Sequence, residues 1–234
     1  MAVEYVDEPE SGRVFRSTRR VRLSDADARG RLRVDGLARY LQDAGSDDWD
    51  DAGLPGDDVW VARQCSIDSV GEWPRLGETV AMATWCGGTG AAWAERRTDV
   101  AVDGTVRLRA AALWVPVGPE GRPRRLRDEF FGVYGAAARG RRVPGRVAAS
   151  APGPAARRRP FALRVSDIDV VGHVNNTVAW QAVAEVAPMR VAAAQVTYHG
   201  SLEPGEPATL ADDGAGVWLC VGDDVRVSGW VEGE

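Results

Sequence analysis

The 234-residue chain contains no lysine: all 29 of its basic residues are arginine. This absence excludes a Walker P-loop, which needs a lysine on the bound phosphates, and it excludes enzymes that use a lysine amine as a Schiff-base nucleophile. Histidine is nearly absent as well, with two in the chain, His173 and His199. Any histidine-dependent chemistry therefore has only these two candidates.

Cysteine and long apolar runs are also scarce. Cys65, Cys86 and Cys220 are too few and too scattered for a disulfide framework or a zinc knuckle, and we predict neither a metal nor a cofactor. No stretch approaches the roughly 20 apolar residues that span a bilayer, and the acidic start MAVEYVDEPESGRV is unlike a signal peptide. We therefore expect a cytoplasmic protein without a membrane partner.

The charge is distributed unevenly along the chain. Between Arg122 and Arg159 there are eleven arginines against two acidic residues, a local balance of +9, which leaves −14 for the rest of a chain of net charge −5. A basic stripe on an acidic body can steer an acidic partner towards it, although a solvated linker has the same composition. The rest of the chain is acidic, so we do not predict nucleic-acid binding.

An internal repeat organises the sequence. The segment RLSDADARGRL (22–32) matches RVSDIDVVGHV (164–174) at a constant offset of 142 residues. A helical pattern of apolar residues follows each copy, and four strand-like segments separated by turn signals follow each helix. A single sheet wrapped round one helix would leave an open edge, which a second unit can cover by pairing. The repeat therefore predicts an α+β double domain, with halves at 1–134 and 161–234 and a linker at 135–160.

The second copy of the repeat, SDIDVVGHVNN at the start of a helix, resembles the hotdog fold. More narrowly, the chain resembles the acyl-acyl-carrier-protein thioesterases of plants and bacteria, which are tandem hotdogs. The resemblance spans nearly the whole length, through EWPRLGETVAMATW (72–85), AERRTDVAVDGTVRLRAAALWVPV (94–117), the SDIDVVGHVNN motif and TYHGSLEPGE (197–206). It implies hydrolysis of fatty acyl-acyl-carrier-protein to a free fatty acid and the carrier.

The resemblance also implies the roles of individual residues. Asp169 is the expected base or nucleophile, and His173, beside a helix expected to begin around 174–176, would orient a water or polarise the thioester carbonyl. The backbone N–H groups of Val174, Asn175 and Asn176 suit a developing oxyanion, and we expect the Asn176 side chain to brace the turn. Asp167 is expected to be a structural turn carboxylate.

The first copy of the repeat keeps Asp25 and Asp27 but has Arg31, Arg33 and Val34 at the positions of His173, Asn175 and Asn176. We therefore expect one active centre per chain, with the N-terminal half holding the acyl chain. The helix face expected to line the acyl-chain pocket, or simply to join the core, comprises Val34, Leu37, Leu41 and Trp49.

The second copy departs from the family at two positions. Val171 stands where the plant enzymes have asparagine, and Ser201 stands about where they have glutamate. These departures put full activity in doubt, and His199, Ser201 or Glu203 are the residues that could compensate.

Three functions remain open on the sequence. The first is an acyl-acyl-carrier-protein thioesterase whose arginines Arg124, Arg125 and Arg127 dock the acidic carrier. The second is a coenzyme A thioesterase of the same fold, and the third is a catalytically silent protein that binds acyl groups or the carrier. The sequence does not fix the acyl chain length or whether the protein forms a homodimer.

Overall fold

The computed structural model describes residues 4–54, 59–145, 147, 149–170, 172–187 and 190–233. This part of the chain forms one ten-stranded antiparallel sheet and three α-helices. The strands are β1 (Val14–Arg20), β2 (Val59–Ser69), β3 (Thr79–Thr89), β4 (Ala94–Val102), β5 (Thr105–Val117), β6 (Arg157–Pro160), β7 (Val191–Tyr198), β8 (Ala208–Asp212), β9 (Gly216–Val221) and β10 (Asp224–Gly233). The helices are α1 (Val34–Ala52), α2 (Asp128–Ala138) and α3 (Val178–Val186).

The sheet has the symmetry that the repeat predicts. Its strand order is β1-β3-β4-β5-β2-β7-β10-β9-β8-β6, so each strand of the first half has a counterpart in the second half at the same distance from the centre. The first half wraps round α1 and the second round α3, and the two helices pack against each other. The predicted α+β double hotdog is confirmed.

The two halves join through β2 and β7, whose antiparallel pairing runs from Gln64 opposite Thr197 to Asp68 opposite Ala193. Across this junction the Gln195 side chain donates a 2.8 Å hydrogen bond to Ser66 Oγ. Each half thus covers an edge that the other would leave open. The apolar core is continuous through the junction and includes the fully buried side chains of Leu37, Ile67, Leu108, Val183, Ala194, Leu210 and Leu219.

Turn chemistry fixes the ends of the elements in the first half. Asp103 and Gly104, between β4 and β5, both have positive φ (49° and 76°), as a type I′ hairpin turn requires. Helix α1 ends at Gly53, which adopts the left-handed conformation typical of a helix C-terminus. None of the three described helices has both the length and the apolar content to cross a membrane.

The segment 135–160, predicted as a linker, contains regular structure at both ends. Helix α2 runs to Ala138 and packs on β3, and β6 occupies Arg157–Pro160 and pairs with β8. The composition of the segment hides both elements, because alanine, glycine and arginine dominate it. Phe130 and Tyr134, one helical turn apart in α2, are the buried aromatic residues that fasten the helix to the first half.

Candidate active site

The two copies of the repeat adopt the same hydrogen-bonded backbone. In each copy, the N–H of the second aspartate donates to the carbonyl four residues later. The residue eight positions after the first aspartate donates its N–H to the carbonyl of that aspartate. The bonds are Asp27 to Arg31 (2.7 Å) and Asp169 to His173 (2.9 Å), and Arg33 to Asp25 and Asn175 to Asp167 (2.8 Å each). The two copies therefore share the backbone of the turn, and they differ in their side chains and in where the following helix begins.

Asp167 has the structural role that was expected. Its side chain is buried, and Oδ2 accepts a 2.8 Å hydrogen bond from the backbone N–H of Arg164. Asp25 does the same for Arg22 in the first copy, at 3.2 Å. A carboxylate that closes its own turn is not free for chemistry.

Asp27, the counterpart of Asp169, is neutralised by arginine. Its Oδ2 accepts hydrogen bonds from Nε and Nη2 of Arg31, at 3.0 and 2.8 Å, and its Oδ1 accepts from the backbone of Arg29 and Arg31. Burial alone would raise the pKa of Asp27, but these hydrogen bonds outweigh it and hold the pKa below its ordinary value. Arginine at the histidine position therefore removes the carboxylate from use as a base.

Asp169, in contrast, lines a cavity of about 370 Å³ together with Asn175 and Asn176. These three residues are the contribution of the second half. The remaining lining comes from the first half, from α1, α2 and strands β2 to β5. Asp169, from the copy of the repeat in the second half, therefore lies at a chamber whose other walls come from the first half.

The chamber is lined by aromatic rings: Trp49, Trp60, Trp85, Trp114, Phe130 and Tyr134. Of the predicted pocket residues, Trp49 lines it and Leu41 lines a small adjoining cavity, whereas Val34 and Leu37 belong to the core. The other tryptophans were missed by sequence reasoning. The composition could have indicated them, because the chain has nine tryptophans but only four phenylalanines and four tyrosines, which is an unusual ratio.

The helix after the intact copy begins later than expected. We predicted a start around 174–176, and this is wrong: α3 begins at Val178. The cause is the side chain of Asn175, whose Oδ1 accepts hydrogen bonds from the N–H and the hydroxyl of Thr177, at 2.9 and 2.8 Å. The resulting turn delays the helix by two residues relative to α1, which begins at Val34, the counterpart of Asn176.

The same turn reverses the expected roles of the two asparagines. The side chain of Asn175 braces the loop, which we had assigned to Asn176, and Asn176 is held through its backbone carbonyl, which accepts a 3.1 Å hydrogen bond from Tyr198 Oη. Within the described chain, the N–H groups of Val174, Asn175, Thr177 and Val178 have acceptors, whereas none is found for that of Asn176. Beside the cavity, this N–H is the donor best placed to meet an oxyanion.

His173 is paired with a carboxylate that the sequence named only as a compensating candidate. Its Nδ1 lies 3.0 Å from Oε2 of Glu203, and Ser201 Oγ donates a 2.6 Å hydrogen bond to Oε1 of the same group. The hydrogen bond from Ser201, followed by that from His173, holds the pKa of Glu203 below its ordinary value. The imidazole is half-exposed and lies outside the described lining of the chamber.

His199 and Val174 take no part in this cluster. His199 Nε2 lies 2.8 Å from Ser228 Oγ on β10, and burial, with the nearby Arg63, lowers the pKa of its imidazole. Val174 is buried, and its N–H donates to the carbonyl of Leu202 (3.2 Å), so it is not available as an oxyanion donor. Val171 lies outside the described residues.

Arginines of the stripe occur both in ion pairs with the protein body and on the segment before α2. Arg141 and Arg157 pair with Glu95 and Asp212 of the protein body. Arg124, Arg125 and Arg127 are exposed on the segment that leads into α2. Arg125 and Arg127 line a small pocket that shares Trp49, Trp60 and Phe130 with the chamber, so these two arginines lie next to the chamber.

Models of two domains of one protein family, and a relative from another organism, match this chain. The model of the acyl-ACP thioesterase N-terminal domain matches residues 12–134, and that of the C-terminal domain matches residues 152–200. An uncharacterized protein of Mycobacterium tuberculosis, found in two strains, is 30% identical over 95% of this chain and 93% of its own length.

Two solved structures share the fold over nearly the full length. A Lactobacillus plantarum protein provisionally described as an oleoyl thioesterase superposes with a TM-score of 0.80 at 19% identity, covering 95% of this chain and 96% of its own. The 12:0-ACP thioesterase of Umbellularia californica superposes with a TM-score of 0.79 at 20% identity, covering 94% and 97%.

Proposed function

This chain belongs to the acyl-ACP thioesterase family, and we propose that it hydrolyses acyl-acyl-carrier-protein at the Asp169 end of the chamber. The observation that carries the assignment of the site is the contrast between the two repeat carboxylates. Asp169 is part of the lining of the chamber, whereas its counterpart Asp27 lies outside the described lining and is bound by Arg31. The family supports the reaction class, and this contrast supports Asp169 as the reactive residue.

In the proposed reaction the acyl group occupies the chamber and its thioester lies beside Asp169. The Asp169 carboxylate takes a proton from a water that attacks the carbonyl carbon, or it attacks that carbon directly and water then cleaves the resulting anhydride. In either route the C–S bond breaks, the carrier leaves as a thiol, and the acyl group leaves as a carboxylic acid.

The negative charge that develops on the carbonyl oxygen needs a donor. The backbone N–H of Asn176 is proposed for this role, with the side-chain amide of Asn176 beside it at the chamber wall. Asn175 keeps the turn in shape through Thr177. This division of roles replaces the three-residue oxyanion region expected from the sequence.

His173 is proposed to act on the leaving group. Glu203 accepts a hydrogen bond from Nδ1, which fixes the tautomer and leaves Nε2 to face the thiol side of the substrate. Because Ser201 orients Glu203, the pair Ser201 and Glu203 takes the place of the single glutamate found in the resembling enzymes.

The acidic carrier is proposed to dock on the exposed arginines Arg124, Arg125 and Arg127, the last two of which lie next to the chamber. Action on carrier-bound acyl groups would place the protein in the cytoplasm and in fatty acid synthesis. Both placements rest on the substrate proposed here.

The test of the proposed function is the release of free thiol from matched panels of acyl-acyl-carrier-protein and acyl-coenzyme A. We expect turnover with the carrier panel at a kcat/KM at least about 10-fold above that with coenzyme A. Equal or better turnover with coenzyme A would reassign the substrate to that cofactor thioester. Binding without turnover of either panel would leave an acyl-binding protein and reject the enzyme.

A further inference from the structure

The turn before α3 carries the backbone N–H of Asn176, for which the described chain provides no acceptor. Hydrogen bonds hold the peptide groups on both sides of this residue. In a trans peptide the N–H points away from the carbonyl of the same plane. The 2.9 Å bond from the N–H of Val178 to the carbonyl of Asn175 therefore sets the direction of the Asn176 N–H. The following peptide plane contains the carbonyl of Asn176 itself.

Two donors hold the carbonyl of Asn176. The N–H of Ala179 donates to it at 3.3 Å, which is long for such a bond, and Tyr198 Oη donates to it at 3.1 Å. Ala179 belongs to α3, so its bond moves with the turn, whereas Tyr198 is the last residue of β7. The hydroxyl of Tyr198 therefore links the residue that has the free N–H to the sheet.

The environment of Tyr198 keeps its hydroxyl a donor. The side chain is buried and lines the small cavity that adjoins the chamber, together with Asn176 and Thr177. Burial raises the pKa of the Tyr198 phenol, so the hydroxyl stays protonated well above neutral pH. The hydrogen bond to Asn176 is therefore present throughout the pH range in which a carboxylate base works.

The strand end that carries Tyr198 has a counterpart in the first half. At the end of β7, and likewise at the end of β2, two successive N–H groups donate to one carbonyl of the neighbouring strand. The bonds are from His199 and Gly200 to Arg226, and from Val70 and Gly71 to Arg107. This match makes Ser69 the counterpart of Tyr198, and the Ser69 hydroxyl donates instead to the carbonyl of Gly71, at 2.7 Å. Among the described hydrogen bonds, a link from this strand to the repeat thus occurs only in the half that keeps the catalytic motif.

We propose that Tyr198 is a positioning residue for the reaction: it holds Asn176 so that the free N–H meets the thioester oxygen as negative charge develops there. This inference rests on the proposed function and adds a residue to it. A donor stabilises an oxyanion most when it is already oriented, because nothing has to reorganise as the charge develops. Loss of the Tyr198 bond therefore weakens the transition state more than the bound substrate.

The test uses Tyr198→Phe, which removes the hydroxyl and keeps the ring. With acyl-acyl-carrier-protein we expect kcat to fall about 10-fold and KM to stay within about twofold, a smaller loss than the roughly 100- to 1,000-fold that deletion of an oxyanion donor causes. A trifluoromethyl ketone analogue, whose hydrate resembles the tetrahedral intermediate, should bind about 10-fold more weakly, whereas an amide analogue of the bound substrate should bind as before. Ser69→Ala is the matched control and should change none of these values.

Two results would overturn the proposal while leaving the thioesterase in place: an unchanged kcat in Tyr198→Phe, or equal weakening of the ketone and the amide. If the parent protein hydrolyses no thioester, ¹⁵N relaxation of the Asn176 amide decides. We expect an order parameter of about 0.85, typical of rigid backbone, in the parent and in Ser69→Ala, falling towards about 0.6 in Tyr198→Phe. That fall would uphold the positioning of Asn176 although the enzyme had been rejected, and an order parameter that Tyr198→Phe does not lower would overturn it.

Discussion

His173 and Glu203 are joined by a hydrogen bond between Nδ1 and Oε2, 3.0 Å apart, in a chain whose residue 201 is serine rather than glutamate. Glu203 is two residues beyond that position, and Ser201 Oγ ties it back at 2.6 Å. We propose that Glu203 takes the role of the glutamate that the resembling enzymes carry at about the position of Ser201.

The first prediction concerns Glu203→Gln. An amide cannot stabilise an imidazolium as a carboxylate does, so we expect kcat to fall about 10-fold with little change in KM. Steady-state thiol release measures both. Asp224→Asn, which removes an exposed carboxylate paired with Arg226, is the control and should leave both constants near the parent values. An unchanged kcat in Glu203→Gln would exclude Glu203 from the reaction.

The second prediction is a titration. The hydrogen bond from Ser201, followed by that from His173, lowers the pKa of Glu203 below its ordinary value of 4.5. A carboxyl group with a depressed folded pKa contributes stability above its unfolded pKa, and that contribution is lost as the pH falls through the folded pKa. Carbon-detected NMR should give a Glu203 midpoint below 4.5 that rises in Ser201→Ala. A midpoint that Ser201→Ala does not move would contradict the pairing.

The third prediction tests the thiol in the chamber. Cys86 lines the cavity, but burial raises the pKa of its thiol to about 11, so very little thiolate exists at neutral pH. We expect Cys86→Ser to keep kcat within about twofold of the parent, and iodoacetamide at pH 8 to alkylate Cys86 slowly. A loss of turnover on mild alkylation, repeated in Cys86→Ser, would indicate a cysteine nucleophile instead of Asp169.

The fourth prediction is about stability. Asp48 is fully buried behind the chamber and bonded to Arg13, Arg96 and Tyr134. Asp48→Asn leaves Arg96 without its counter-ion and Arg13 with only the exposed Asp51, and should lower the free energy of unfolding by about 3–5 kcal/mol. Asp47→Asn, one residue away in an exposed pair with Arg19, should cost less than about 1 kcal/mol. Urea unfolding of both variants gives the comparison.

The fifth prediction separates carrier docking from chemistry. Reversing the charge at Arg124, Arg125 and Arg127 should raise KM for acyl-acyl-carrier-protein about 10-fold, because these exposed residues would then repel an acidic partner. The same acyl group on pantetheine is the control, and its KM should not change. An unchanged KM for the carrier substrate would move the docking surface elsewhere on the protein.

Local patterns in the sequence predicted the repeat, both central helices and the positions of the hairpin strands. Two features depended on side-chain contacts in the folded chain and were missed or misplaced. The start of α3 is set by Asn175 and Thr177 side chains, which compete with the helix for backbone donors. Helix α2 is held by Phe130 and Tyr134 against the sheet, in a segment whose composition is that of a linker.

The candidate site, too, was predicted in part from local sequence patterns, and the rest of it required the structure. Asp169 and its position in the intact repeat were predictable from the motif, and so was the decay of the first copy. That Arg31 actively neutralises Asp27 required the hydrogen-bond geometry. The three-dimensional structure was also needed to find that the indoles of Trp60, Trp85 and Trp114 are unpaired within the described chain. Strands β2, β3 and β5 bring these residues together from positions 25 and 29 residues apart.

The most direct test of the account is a paired measurement of thiol release in Asp169→Asn and Asp27→Asn. The two residues occupy equivalent positions in the same backbone, so any general effect of the substitution on the fold is matched. We predict that Asp169→Asn lowers kcat by about 100-fold or more, while Asp27→Asn keeps it near the parent value. Undiminished turnover in Asp169→Asn, or an equal loss in both variants, would contradict the assignment of the active carboxylate.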